Sequence, residues 1–66
     1  MGESMRRQRE RAGLTVEQAA QRIGIEPQLL VRWEEGSDEP IGRDLCLMAE
    51  AYGCSPDELL GLPRRK

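Results

Sequence analysis

The sequence has no histidine, no phenylalanine, one tryptophan (Trp33), one tyrosine (Tyr52) and two cysteines, Cys46 and Cys54. Each scarcity excludes something. Without histidine the commonest metal ligand and general base are missing, and two thiols alone cannot complete a tetrahedral zinc set. No metal and no cofactor is therefore expected, and the thiols are expected to be buried and reduced, with a disulfide far less favoured. With only two aromatic residues the core must be built from Leu, Ile, Val, Met and Ala, a composition that favours helices. No apolar run comes near the roughly 20 residues of a membrane span, and no apolar signal-peptide core follows the first arginines. A cytoplasmic protein without a membrane partner is the expectation.

An enzyme is not expected. The hydroxyls of Ser4, Thr15, Ser37 and Ser55 have no plausible base beside them, and the acid pairs Glu34–Glu35, Asp38–Glu39 and Asp57–Glu58 are neighbours whose side chains diverge on a helix. The seven glycines fall mostly where helices would end, not in a phosphate-cradling loop. At 66 residues the chain allows one domain. A domain so small buries only about 60% of the surface its unfolded chain exposes, so a second copy would help to stabilise it.

What is present is charge, unevenly placed. The net charge is −2, which by itself disfavours nucleic acid, because DNA affinity rests on phosphates neutralised by Lys and Arg. The distribution is more informative. Between residues 4 and 11, Arg6, Arg7, Arg9 and Arg11 face only Glu10, and Arg64, Arg65 and Lys66 lie at 64–66. Between residues 26 and 44, by contrast, Glu26, Glu34, Glu35, Asp38, Glu39 and Asp44 outnumber Arg32 and Arg43.

Residues 1–62 read as one domain of five short helices and residues 63–66 as a basic tail. A first helix, from about Ser4 to Arg11, stops at Gly13 and carries Met5, Arg9 and Ala12 along one face. Thr15 and Gln18 form a T-x-x-Q capping box for a second helix through Ala19, Ala20 and Ile23, ended by Gly24. A third helix follows at once. Glu26 is placed to cap it with its carboxylate, Pro27 to occupy the first helical position, and Ile25 and Leu30 to staple its entry. Leu30, Trp33 and Glu34 share one face, while Gln28, Arg32 and Glu35 share another, where Arg32 can meet Glu35. Beyond Gly36 a loop, Ser37 to Ile41, leads to a fourth helix with Leu45, Met48, Ala49 and Tyr52 inward. Ser55 and Glu58 then box the start of a last turn through Leu59 and Leu60.

Two helices separated by so few residues, with small Ala19 and Ala20 at the contact, have helix-turn-helix geometry. The chain resembles the DNA-binding domain of the Cro and cI-type phage repressors, the xenobiotic-response-element type of bacterial regulator, over residues 2–60. The resemblance rests on R-E-R-A-G-L-T at 9–15, E-Q-A-A at 17–20, G-I at 24–25, W-E-E-G at 33–36, Pro40, L-x-x-M-A-x-A-Y-G-C-S at 45–55 and D-E-L-L at 57–60. It implies an all-α domain whose third helix reads double-stranded DNA, as a homodimer on a near-palindromic operator, in the manner of a repressor. Carried over by position, base contacts fall on Pro27, Gln28, Leu29 and Arg32, and phosphate contacts on Arg9 and the amides of Val16 and Glu17. The resemblance also implies a structural salt bridge from Arg9 to Glu34 and core positions for Cys46 and Cys54. Chemically, Gln28 suits adenine and Arg32 suits guanine, whereas Pro27 and Leu29 can only touch a thymine methyl.

The sequence also departs from that pattern. Val16 stands where the family often has a phosphate-binding glutamine, Asp38 and Glu39 where it commonly has Lys or Arg, Glu26 where Ser or Thr is usual, and Gln8 where leucine is usual. Leu47 occupies a position that tends to be polar and, with Tyr52, is a candidate dimer contact. These departures keep a second reading open, an interaction module or antitoxin that binds a protein partner through an acidic face bearing Leu29 and Val31.

Overall fold

The computed structural model describes residues 2–62, and the basic tail 63–66 lies outside the described residues. Five helices follow one another: α1 (Gly2–Arg11), α2 (Val16–Ile23), α3 (Pro27–Glu35), α4 (Gly42–Tyr52) and α5 (Pro56–Leu60). No strand occurs among the described residues.

Local chemistry explains most of the boundaries. Thr15 Oγ1 accepts from the Gln18 amide at 3.1 Å, and the Gln18 side chain accepts from the Thr15 amide at 2.9 Å, so two otherwise unpaired donors at the start of α2 satisfy each other's residues. Ser55 and Glu58 repeat the arrangement at α5, at 3.2 and 2.9 Å. At the end of α2, Gly24 adopts φ +87° and the amides of Gly24 and Ile25 both donate to the Ala20 carbonyl, at 2.8 and 3.0 Å. That left-handed turn needs glycine, because a Cβ there meets the following carbonyl.

The start of α3 differs from the expectation. Glu26 is the capping residue, but its carboxylate makes no cap hydrogen bond. Glutamate is one methylene longer than the aspartate that fits this tight geometry. Its backbone carbonyl serves instead, accepting from Leu29 at 3.0 Å and Leu30 at 3.4 Å, while Pro27 in the first turn has no N–H to satisfy. Helix α1 also begins earlier than expected, at Gly2, which is buried beneath the end of α3. A Cβ at that position would run into the carbonyls of Glu34 and Trp33.

The core forms where α1, α2 and α3 meet α4 and α5. Met5, Ala19, Leu30, Met48 and Leu59 have no exposed surface, and Ala20, Ile23, Trp33, Ala49 and Tyr52 join them. Helix α1 packs on α3, α4 and α5, while α2 packs on α3 and α4. Ile25 and Leu29 are half-buried against this cluster, as are Leu14, Val16, Leu45 and Leu47.

The cysteines require a correction. Cys46 is exposed and Cys54 half-buried, and both are free thiols. On α4 the inward residues are 45, 48, 49 and 52, and Cys46 falls on the outer side with Arg43 and Glu50. Ala12 is likewise exposed, because it follows the last residue of α1 and does not continue the Met5–Arg9 face.

Two substitutions test this account of the fold. Leu30→Ala, at a position with no exposed surface, is expected to cost about 2–5 kcal/mol, and Gly24→Ala about 1–2 kcal/mol from left-handed strain. Urea denaturation followed by circular dichroism should rank them in that order, with the first leaving much of so small a domain unfolded.

Candidate nucleic-acid interface

Three residues, 24 to 26, separate α2 from α3. Ala19 and Ala20, 0% and 1% exposed, put little bulk on the buried face of α2, which packs on α3, and Leu30 and Trp33 of α3 join them in the core. The inner face of α3 is thereby spent on the core. Its outer face presents Gln28, Arg32 and Glu35 to solvent, with Pro27 and Leu29 half-buried at the margin and Val31 exposed beside them. Of the four residues carried over as base contacts, Gln28 and Arg32 are thus exposed one turn apart, whereas Leu29 is partly committed to packing.

A buried ion pair sets the position of that helix. Arg9 Nε donates to Glu34 Oε2 at 2.7 Å and Arg9 Nη2 to Glu34 Oε1 at 3.1 Å, a bidentate fork joining α1 to α3. A third bond, which the sequence reading did not foresee, runs from Arg9 Nη1 to the Leu14 carbonyl at 2.8 Å and ties in the turn before α2. The side chains of Arg9 and Glu34 are 10% and 9% exposed. Hydrogen bonding to Glu34 holds the guanidinium charged, raising its pKa against the opposing cost of burial. These three bonds engage three of the five N–H groups of Arg9, and its nearly covered side chain ties α1 to α3, the structural bridge that the resemblance implies.

Arg32 also has a partner, and it is not Glu35, the contact that helical spacing allows. Its Nη1 lies 3.5 Å from Asp38 Oδ2, in the loop beyond Gly36. Val16 and Glu17 open α2, ahead of its first backbone bond from the Ala19 amide to the Thr15 carbonyl at 2.9 Å. Their amides therefore sit at the positive end of the helix without intrahelical acceptors. Val16 itself is half-buried against the core, which accounts for an apolar side chain there; Glu17 is exposed.

Comparison with known proteins adds to this geometry. A family model described as a helix-turn-helix domain matches residues 1–62. The chain belongs to the helix-turn-helix family. It is also 37% identical over 62 residues to Repressor protein C2 of Salmonella phage P22, a match that covers 91% of this chain and 28% of that protein. Together they make this a helix-turn-helix domain of the Cro/cI type, spanning a little over a quarter of the repressor it resembles. No solved structure matches it at a significant level. No helix among the described residues is long and apolar enough to cross a membrane.

Away from the outer face of α3, the helix-turn-helix domain buries its one tyrosine. Tyr52 is 7% exposed and offers almost no surface to a second copy, which leaves half-buried Leu47 as what remains of the candidate dimer contact. The Tyr52 hydroxyl is buried with no hydrogen-bond partner among the described residues, at a cleft that Gln8, Arg11 and Cys54 also line. Gln8, where leucine is usual, therefore borders a polar gap and is not part of the apolar core. Burial pushes the Tyr52 phenol up to about 12, with Glu34 adding to the effect and Arg9 opposing it. Burial also raises the Cys54 thiol, with a contribution from Glu58.

Two predictions follow the buried groups. Glu34→Ala leaves the Arg9 charge buried without its fork and is expected to destabilise the domain by roughly 3–5 kcal/mol, read as a lower urea midpoint. The folded state holds the Tyr52 proton more tightly than the unfolded chain does, so the corresponding stability is present below pH 10 and lost as pH rises from 10 toward 12. Tyr52→Phe should remove that part of the alkaline loss while leaving stability near pH 7 unchanged or slightly higher, since the hydroxyl has no partner to lose.

Proposed function

We propose that this domain is a sequence-specific DNA-binding transcriptional regulator, acting as a repressor that lays α3 in the major groove of a near-palindromic operator. The observation that carries the reading is the outer face of α3. Gln28 and Arg32, whose side chains can form bidentate pairs with adenine and guanine, are exposed one turn apart on a helix that a buried ion pair holds against its support. The likeness to a protein named as a phage repressor supports the same reading. The amides of Val16 and Glu17 are placed to meet a phosphate at the start of α2. Two copies on one duplex would bring two such helices to half-sites about one helical turn apart.

A second reading, docking to a protein partner, is favoured by one observation. The surface around α3 carries Glu35, Asp38 and Glu39 beside an exposed Val31, and Arg32 is already paired with one of those acids.

Selection of bound sequences from random duplex DNA at low salt separates the two. A regulator enriches a two-fold symmetric site; Arg32→Ala and Gln28→Ala each remove base discrimination worth about 1–3 kcal/mol while circular dichroism stays unchanged. Its affinity falls steeply with salt, by roughly 0.9 in the log–log slope per phosphate contacted. Enrichment of no site, or a site that survives both substitutions, would sink the assignment of α3 as the reading helix.

A further inference from the structure

We propose that Asp38 is a positioning residue for Arg32, and that the pair, not Arg32 alone, sets base preference at the step Arg32 reads; this rests on α3 being the DNA-reading helix. By charge alone Asp38 is a defect, an acid where a phosphate-binding cation would help. The geometry assigns it a different part. At Gly36 the chain turns back with φ +85°, and the amides of Ser37 and Asp38 both donate to the carbonyl of Arg32, at 3.0 and 3.3 Å. The backbone that carries the carboxylate is therefore bonded to the backbone that carries the guanidinium. From there Asp38 Oδ2 reaches Arg32 Nη1 at 3.5 Å.

An ion pair with side chains 58% and 48% exposed adds little to stability. Its effect is on direction. A guanidinium has five N–H groups, and a carboxylate on Nη1 leaves those of Nη2 and Nε to face the O6 and N7 acceptors of guanine. Restricting a long, flexible side chain before it binds raises its discrimination, because less freedom is lost on contact. The same carboxylate repels phosphates of every sequence, so it exchanges overall affinity for selectivity. Glu39 supplies the control, being exposed and acidic next to Asp38 with no bond to Arg32 among the described residues.

The test compares the wild-type chain with Asp38→Ala, Asp38→Asn and Glu39→Gln, alone and combined with Arg32→Ala, by selection from random duplexes and by affinity for an unrelated duplex at low salt. Both Asp38→Ala and Glu39→Gln are expected to tighten binding to the unrelated duplex. Only Asp38→Ala should lower the guanine preference at the base pair whose preference Arg32→Ala abolishes, by about threefold to tenfold, a part of what a bidentate pair provides. Asp38→Asn, whose amide oxygen still accepts from Nη1, should keep more of that preference. In the Arg32→Ala background the effect of Asp38→Ala on preference should vanish, as coupling through Arg32 requires. If Asp38→Ala behaves like Glu39→Gln, tightening binding with the preference intact, Asp38 is a repulsive charge only and the proposal is overturned. A wild-type chain that selects no site overturns the DNA-reading assignment itself, and does so before any variant is compared.

Discussion

The fork between Arg9 and Glu34 is the constraint on which the rest of the structure depends. It joins the first helix to the third, and its additional bond to the Leu14 carbonyl draws in the turn that precedes the second, so one guanidinium ties together three pieces of chain. A buried ion pair is seldom a large net source of stability, because desolvation offsets the attraction. What it supplies is geometry, since the bidentate fork admits one orientation of each partner. Gly2 complements it from the other side, by letting α1 pass directly beneath the last carbonyls of α3. The outer face of α3 is thus held by contacts made entirely on its inner face and its end.

Much of this was legible in the residues themselves. The T-x-x-Q and S-x-x-E boxes start helices where the spacing places them, and the helix-ending role of Gly24 follows from its left-handed backbone. The inward residues of α3 and α4 follow from helical period, since Leu30, Trp33, Met48 and Ala49 recur at three and four. Other features lay beyond sequence. The acceptor in Leu14 is a backbone carbonyl, which any residue would offer. The partner of Arg32 lies across a left-handed glycine, where helical spacing no longer says which residues meet, and so Asp38 holds it in place of Glu35, the contact that spacing allows. The buried place expected for Cys46 came from the resemblance, whereas helical spacing from Leu45, Met48, Ala49 and Tyr52 already puts residue 46 on the outer side, where it lies.

The charges on the outer surface are arranged for restraint more than for attraction. Of the basic residues in α1, Arg9 is consumed by Glu34, and Arg6 is paired with Glu10 at 3.2 Å on an exposed surface. Near α3, carboxylates outnumber cations. On the proposed DNA-reading function, so acidic a surface offers few cations to phosphates and leaves more of the affinity to base-edge contacts and helix-end amides. Val16 fits the same pattern, its side chain given to the core and only its amide left at the surface.

Trp33 carries a practical consequence of its own. It is the one tryptophan of the chain, it is 3% exposed, and it sits on the inner face of α3 directly beside Arg32 in sequence. Its fluorescence therefore originates from a single place, the seam between the third helix and its support, without any label. Loosening of that seam would shift the emission to the red as water reached the indole, even where the overall helical content of the protein hardly changed.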